Sequence, residues 1–549
     1  MGQGAGVNDT VRKIEWTLGL VLASAFARAD VTPNDPGIAG TDDSASIQNA
    51  VDAAVKRGEK CVIPGFNRRA GTNLWTFTRC VKLPSNATVV IDNAHLLMAD
   101  EMMDNFFRSA NAYTAKGRTV AGELRDIRIL GVGNAVLDGG KPNGLTESTS
   151  GKEGRPPVIF NTPILLVNVR GFEVSGLTIR DHRYWGLCFN FCSFGRIARI
   201  RYLAHGLCNN EDGCNIRNGC HDIVIEDLSG QTNDDMLAFS GIDPRDADTN
   251  PWSRDVKDGD PDIHAITVRN IFGAAAGHPF LSLRNHDGVR IYGLNISRIA
   301  DADYIEPMAN GGKPGRYAMI RLGQNLYWHN RRSELGETAD ITIRDVDIRY
   351  SDTGIIANAT LKNVLISGVR CSGKCRTAFT TFGAVWSAPG VKMENVTLEN
   401  VSVESDHPDA SVAEFPLCAE DQFIRDSLLL NATLLKNGKR TVIAREELNR
   451  TFDQALMDKY VKLSDAKTVA AHRFREADGR VFLEPEIPTD RTPVDGVFLT
   501  KWGTLTTHVT YNLVFVATPG PTTVTCWGET HDVGSGCYYF CKDPPDYFW

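Results

Sequence analysis

The sequence predicts a parallel β-helix, a solenoid of short strands, with a capping helix at its N-terminal end and a mixed α/β appendage at its C-terminal end. Three observations carry that prediction. A short strand pattern recurs along the middle of the chain, its apolar residues alternate with period two, and no helical pattern separates the copies. The copies occupy residues 172–179, 221–228, 264–271, 287–296, 340–348 and 362–369, each an aliphatic or β-branched alternation, a polar pair and a second alternation. Neighbouring copies are offset by about 22 or 23 residues, or by roughly twice that, which reads as a degenerate copy in between. A sandwich would need a tight turn about every 8–12 residues. A doubly wound sheet would need helices between the strands. Stacked coils of three short strands bury a continuous aliphatic core with neither.

At the N-terminus, Arg12 and Lys13 precede an apolar run over residues 16–27 that ends in Ala25-Phe26-Ala27, the pattern of a secretory signal and its cleavage site. A short N-terminal helix is the competing reading of residues 1–30. The run is about 12 residues long, short of the roughly 20 that cross a bilayer, so no membrane span is expected. Residues 41–55 then give a helix capped by Asp43 or Ser44, with Ile47, Ala50, Val51, Ala54 and Val55 as its apolar stripe. The coils are expected over residues 31–405. Residues 406–549 form a cap or appendage: 446–462 read as an amphipathic helix, and the last 60 or so residues, rich in Thr, Gly and aromatics, as a small β unit.

Composition narrows the function. The 59 basic and 67 acidic residues leave a net charge of -8, with no electrostatic footprint for nucleic acid. Thirteen cysteines are too few for a disulfide scaffold. Cys188/Cys192 and Cys371/Cys375 lie within the repeats and read as buried apolar thiols; Cys526, Cys537 and Cys541 are the disulfide candidates. No metal site or cofactor is expected.

The candidate chemistry is acidic. Asn210-Glu-Asp-Gly213 and the Asp234-Asp235 pair are separated by about 22 residues, close to one coil. Strands of adjacent coils lie about 4.8 Å apart, so Asp212, Asp234 and Asp235 should meet on one face. Crowded carboxylates push their pKa values apart, which lets one carry a proton while another stays ionised, the requirement of glycoside hydrolysis.

On these residues the chain resembles the polygalacturonase-type glycoside hydrolases of the pectate-lyase-like superfamily. The likeness spans roughly residues 35–405: an entrance helix beginning Thr41-Asp-Asp-Ser, then Asn-x-Asp-Gly, then Asp-Asp one coil later. It implies a right-handed β-helix and an inverting hydrolase in which Asp212 and Asp235 activate water and Asp234 protonates the leaving oxygen. The family's Gly-His falls on Gly277-His278, so His278 would orient the acid; His264 is the rival. Arg321 matches the arginine that grips a substrate carboxylate, but Gly323 stands where the family has a lysine, and Arg284 could compensate. Asn233 replaces a glycine before Asp-Asp, a change that asparagine's tolerance of left-handed backbone permits.

Tyr184, Trp185, Tyr327 and Trp328 are candidate sugar platforms, or buried packing. An insertion over residues 243–262, with Trp252, should overhang the groove. Asn395 and Asn431 begin apparent glycosylation sequons, but this fold also uses asparagine at its turns. The implied partner is a polysaccharide or oligosaccharide, pectic, rhamnogalacturonan-like or otherwise uronic, met outside the cell or in the periplasm. A polysaccharide lyase or epimerase, and a non-catalytic glycan-binding tailspike-like adhesin, are the alternatives.

Overall fold

A period-two apolar pattern has a simple structural consequence when coils stack: equivalent inward residues of successive coils sit on one another. In the computed structural model this ladder runs Cys61, Val89, Ile129, Val174, Ile197, Ile225, Val268, Ile296, Ile343, Ile366, Leu398 and Leu429, each paired in parallel with the next. Every rung is at most 2% exposed. The structure describes residues 30–451 except 242–255, 286–287, 310, 312–317, 324–332, 358–359, 382–390, 416 and 418–421; beyond 451 it describes the backbone of eight short strands between 469 and 542. The expected secretory signal therefore lies outside the described residues.

The chain is a right-handed parallel β-helix. Beside the ladder just traced, a second column stacks Leu74–Phe77, His95–Met98, Val136–Asp138 and Thr178–Arg180. A third runs from Val81–Leu83 through Cys214–Arg217, Leu237–Gly241, Leu281–Asn285 and Ala318–Leu322 to Ser411–Glu414. Bends within the coils take left-handed backbone at Asp227, Asn270, Asp340, Asn363 and Asn395. Short Asx side chains tolerate that conformation, and here they also bond coil to coil, Asn270 to Asp227 at 2.8 Å and Asn395 to Asn363 to Asp340 at 2.9 Å each.

Four expectations are corrected. The doubled offsets have two origins: between the copies at 172 and 221 a degenerate coil does intervene, Gly195 pairing with both Phe172 and Ile223, whereas His221 pairs directly with His264 and Ile296 with Ile343, so those two are single coils carrying an insertion. A loop can leave a solenoid at a bend without disturbing the ladder, because only the strands must stay in register. The helix Asp43–Arg57 is capped by Asp42, whose carboxylate accepts from Ala45 N at 2.7 Å. Asp43 is instead buried, accepting from Asn67, Arg69 and Thr76 N. Residues 446–451 are not helical. Glu446 and Glu447 end the strand Lys439–Glu447, which folds back antiparallel on Leu428–Lys436, and Arg450–Thr451 pairs with Phe423–Arg425; residues 452–462 lie outside the described ones. Finally, Asn233 has no left-handed backbone; its side chain bonds Cys208 O at 2.9 Å.

Parallel stacking itself continues past residue 405, to Leu428–Lys436 on Lys392–Glu404. The strands from 469 to 542 make two four-stranded sheets. Cys188, Cys192, Cys371 and Cys375 are buried free thiols, and burial pushes Cys188 up to about 12. The side chains of Cys526, Cys537 and Cys541 lie outside the description.

The ladder sets a stability prediction. Ile225→Ala should destabilise by about 2–5 kcal/mol, since neighbours fixed by their own hydrogen bonds cannot collapse into the gap. Val442→Ala, at a position 61% exposed, should move the urea midpoint by under about 0.5 kcal/mol equivalent. Equal midpoints for the two variants would contradict the stacked core.

Candidate active site

Each acidic residue stands just before a strand of the third column. Asp212 precedes Cys214–Arg217, Asp234 and Asp235 precede Leu237–Gly241, and His278 precedes Leu281–Asn285. Cys214 pairs with Leu237, a one-coil offset of 23 residues, and Gly213 N donates to Asp235 O at 2.9 Å. Gly213 has to be glycine, because a Cβ there would lie 2.4 Å from Met236 O. Gly277, at φ 74, makes the left-handed turn that delivers His278.

Stacking brings the three carboxylates together, with one oxygen from each within 4.8 Å of the others. All three are buried, at 3%, 7% and 0% exposure for Asp212, Asp234 and Asp235. Asp212 is pushed well above the ordinary carboxylate range by desolvation and by the charges of Asp234 and Asp235, against Arg284 and a 3.1 Å bond from Asn215. Asp234 is raised too, mainly by desolvation, with His278 opposing. The His278 ring places Nδ1 3.1 Å from Asp234 Oδ1.

Asp235 receives the cation. Ser282 Oγ donates to its Oδ2 at 2.6 Å, and Arg284 reaches the same oxygen at 2.5 Å. Oxygens this close could also bridge a divalent ion, though Arg284 already supplies compensating charge. Two carboxyls inclined to hold protons thus surround one that is paired with a cation. Proton donor and water-activating base are both available in such a set.

The other expected residues divide. Arg321 is buried one coil beyond Ser282, its register partner. Gly323, where the lysine is absent, has φ 84 and donates to Leu283 O. His264 is stacked between His221 and Tyr292, at 5.0 and 4.9 Å, on the first column. Tyr184 and Trp185 stack at 4.7 Å within a small apolar cluster, so Tyr184 meets its surroundings through its hydroxyl, which donates to Glu147 Oε1 at 2.7 Å. Tyr327, Trp328 and Trp252 lie outside the described residues.

Four residues were not foreseen. Ser282 holds Asp235. His182, fully buried, bonds Asp212 O at 2.8 Å, and burial lowers its pKa to about 4, so the ring is neutral. Arg217, 2% exposed, lies over Trp185 at 5.2 Å. Glu147 approaches from a loop some 60 residues earlier in the chain. Arg217 had a sequence signal, since the one-coil register places Arg217 and Arg284 opposite Ser240 from either side. Glu147 had none.

No protein-family model matches the chain, and no curated protein does. Solved structures do resemble it. The Streptococcus pneumoniae surface adhesin PfbA is similar at TM-score 0.47 and 10% identity, over 77% of this chain and 98% of that one. A Thermotoga maritima exopolygalacturonase is similar at TM-score 0.43 and 12% identity, over 78% and 96%. A Yersinia enterocolitica family 28 exopolygalacturonase follows at TM-score 0.41 and 14% identity, over 70% and 78%. At such identities an adhesin and two hydrolases stand alike, so no chemistry is read from them. The chain is a right-handed parallel β-helix with three buried aspartates gathered on its third column.

Proposed function

We propose that the chain is an inverting glycoside hydrolase that cleaves a uronic-acid-containing polysaccharide outside the cell or in the periplasm, through a catalytic domain over residues 31–405. The observation that carries the reading is the convergence of Asp212, Asp234 and Asp235 within 4.8 Å, with His278 on one aspartate and Arg284 on another. Asp234 is the acid: its raised pKa keeps a proton available, and His278 fixes the carboxyl that gives it to the leaving oxygen. Asp235, paired with Arg284, draws the proton from the attacking water, and Asp212 beside it holds that water in place. Arg321, Arg284 and the Tyr184 hydroxyl line the substrate side.

One feature constrains the geometry of attack. Acid and base of an inverting pair usually stand about 6.5–9.5 Å apart, with water between them. The closest oxygens here are nearer than that, so the water must sit beside the cluster, against Asp212 and Asp235. Proton NMR of the first-formed reducing end should show the anomer opposite to the substrate linkage. Retention would replace single displacement by a covalent intermediate on one aspartate. An unsaturated product absorbing in the ultraviolet would replace hydrolysis by elimination, and binding without cleavage of any polymer would favour a lectin-like role.

A further inference from the structure

Glu147 belongs to none of the motifs, yet the fold takes care to place it. Its loop, residues 139–157, leaves the second column and is pinned at both ends. Asn143 Nδ2 donates to Met102 O at 2.7 Å and to Asn161 Oδ1 at 2.8 Å, and Arg155 donates to Gly144 O at 2.7 Å. Leu145, 3% exposed, packs into the cluster of Val158, Ile159, Tyr184 and Trp185. Two residues on, the half-buried Glu147 turns toward the aspartates and accepts from Tyr184 Oη at 2.7 Å. Asp234, Arg284 and the Asn210 side chain face it from three further segments, and Asp212 and Arg217 act on Tyr184 behind it. Among the described residues no cation forms an ion pair with Glu147, and its loop is already held by other bonds. A carboxyl held by the Tyr184 hydroxyl on the acid's side of the site, in a loop that other bonds already fix, is placed to face a substrate.

We propose that Glu147 is a specificity-determining carboxyl in the wall of this site, a charge gate that admits anionic sugar residues when neutral and repels them when ionised. The proposal rests on the uronate-cleaving reading above. Burial, reinforced by the charge of Asp234 and opposed by the Tyr184 hydrogen bond, pushes Glu147 up to about 7. It therefore switches near neutral pH, while Arg284 and Arg321 stay charged throughout. Below that point Glu147 adds no charge to the wall; above it a negative charge is added beside a bound carboxylate.

The test is equilibrium binding to the full chain carrying Asp234→Asn, which slows turnover roughly 10²–10⁴-fold and, by removing the Asp234 charge, moves the Glu147 switch below its native pH, with trigalacturonate and a neutral galacto-oligosaccharide of equal length as probes. Between pH 5.5 and 8.5 the affinity for trigalacturonate should fall on the order of tenfold, as expected for one partly screened charge, while the neutral probe changes little. Adding Glu147→Gln, which keeps an acceptor for Tyr184, should abolish the fall. Adding Tyr184→Phe instead should move its midpoint to higher pH, because the lost hydrogen bond favoured the ionised form. A purely structural Glu147 would give neither result. An unchanged pH dependence in Glu147→Gln, or the same fall for the neutral probe, overturns the gate and leaves the hydrolase reading standing. If no uronate binds at any pH, the uronate reading and the gate fall together.

Discussion

Asp234→Asn should cost roughly 10²–10⁴-fold in turnover on the natural polymer, the contribution of a positioned acid. Asparagine keeps the volume and can still accept from Asp235 N, a contact of 2.8 Å in the native site, so the coil should stay folded. What it lacks is the proton. A synthetic glycoside with a leaving group acidic enough to depart unaided should recover part of the rate. Asp235→Asn and Asp212→Asn should show no such recovery, because the water they activate is needed whatever the leaving group. His278→Ala should fall between, since it removes the orientation of Asp234 and leaves its proton. A folded Asp234→Asn protein with near-native turnover would take Asp234 out of the mechanism.

Arg284→Ala should damage stability as well as activity. Asp235 is fully buried, and Arg284 is the cation on it; removing that partner strands a charge where water cannot reach it. Such losses run to about 3–5 kcal/mol, and the lower end is expected here because Arg284 keeps a fifth of its own surface exposed. The double variant Arg284→Ala/Asp235→Asn should recover much of the urea midpoint, since no charge is then left unpaired, and should recover no turnover. That split separates a structural ion pair from a working one. A single Arg284→Ala variant with the native midpoint would mean that Asp235 does not depend on this contact.

The part of this molecule that repeats was legible in advance. Period-two alternation needs only local chemistry, and stacking converts a sequence offset into a spatial contact. The 23-residue step from Cys214 to Leu237 thus brings Asp212 to Asp234 and Asp235, as the spacing led one to expect. Elsewhere the same logic failed on length: 43 residues separate His221 from His264, yet they are register partners, because an insertion adds residues without adding a coil. The cap of the first helix slipped by one residue for a related reason. Asp42, Asp43 and Ser44 are all competent caps, and the three partners Asn67, Arg69 and the backbone of Thr76 select Asp43 for the interior.

The sequence by itself determined the solenoid, its aliphatic ladder and the meeting of three aspartates, because each follows from a regular spacing along the chain. Tertiary structure alone decided what surrounds them. Tyr184 and Trp185 turned inward because Leu145, Val158 and Ile159 cover them. Glu147 reached the site because that same packing anchors its loop, and His182 came beneath Asp212 across a bend. Contacts of this kind join segments that share no period, so the free energy of packing fixes them, and nothing in the local pattern of residues announces where they will land.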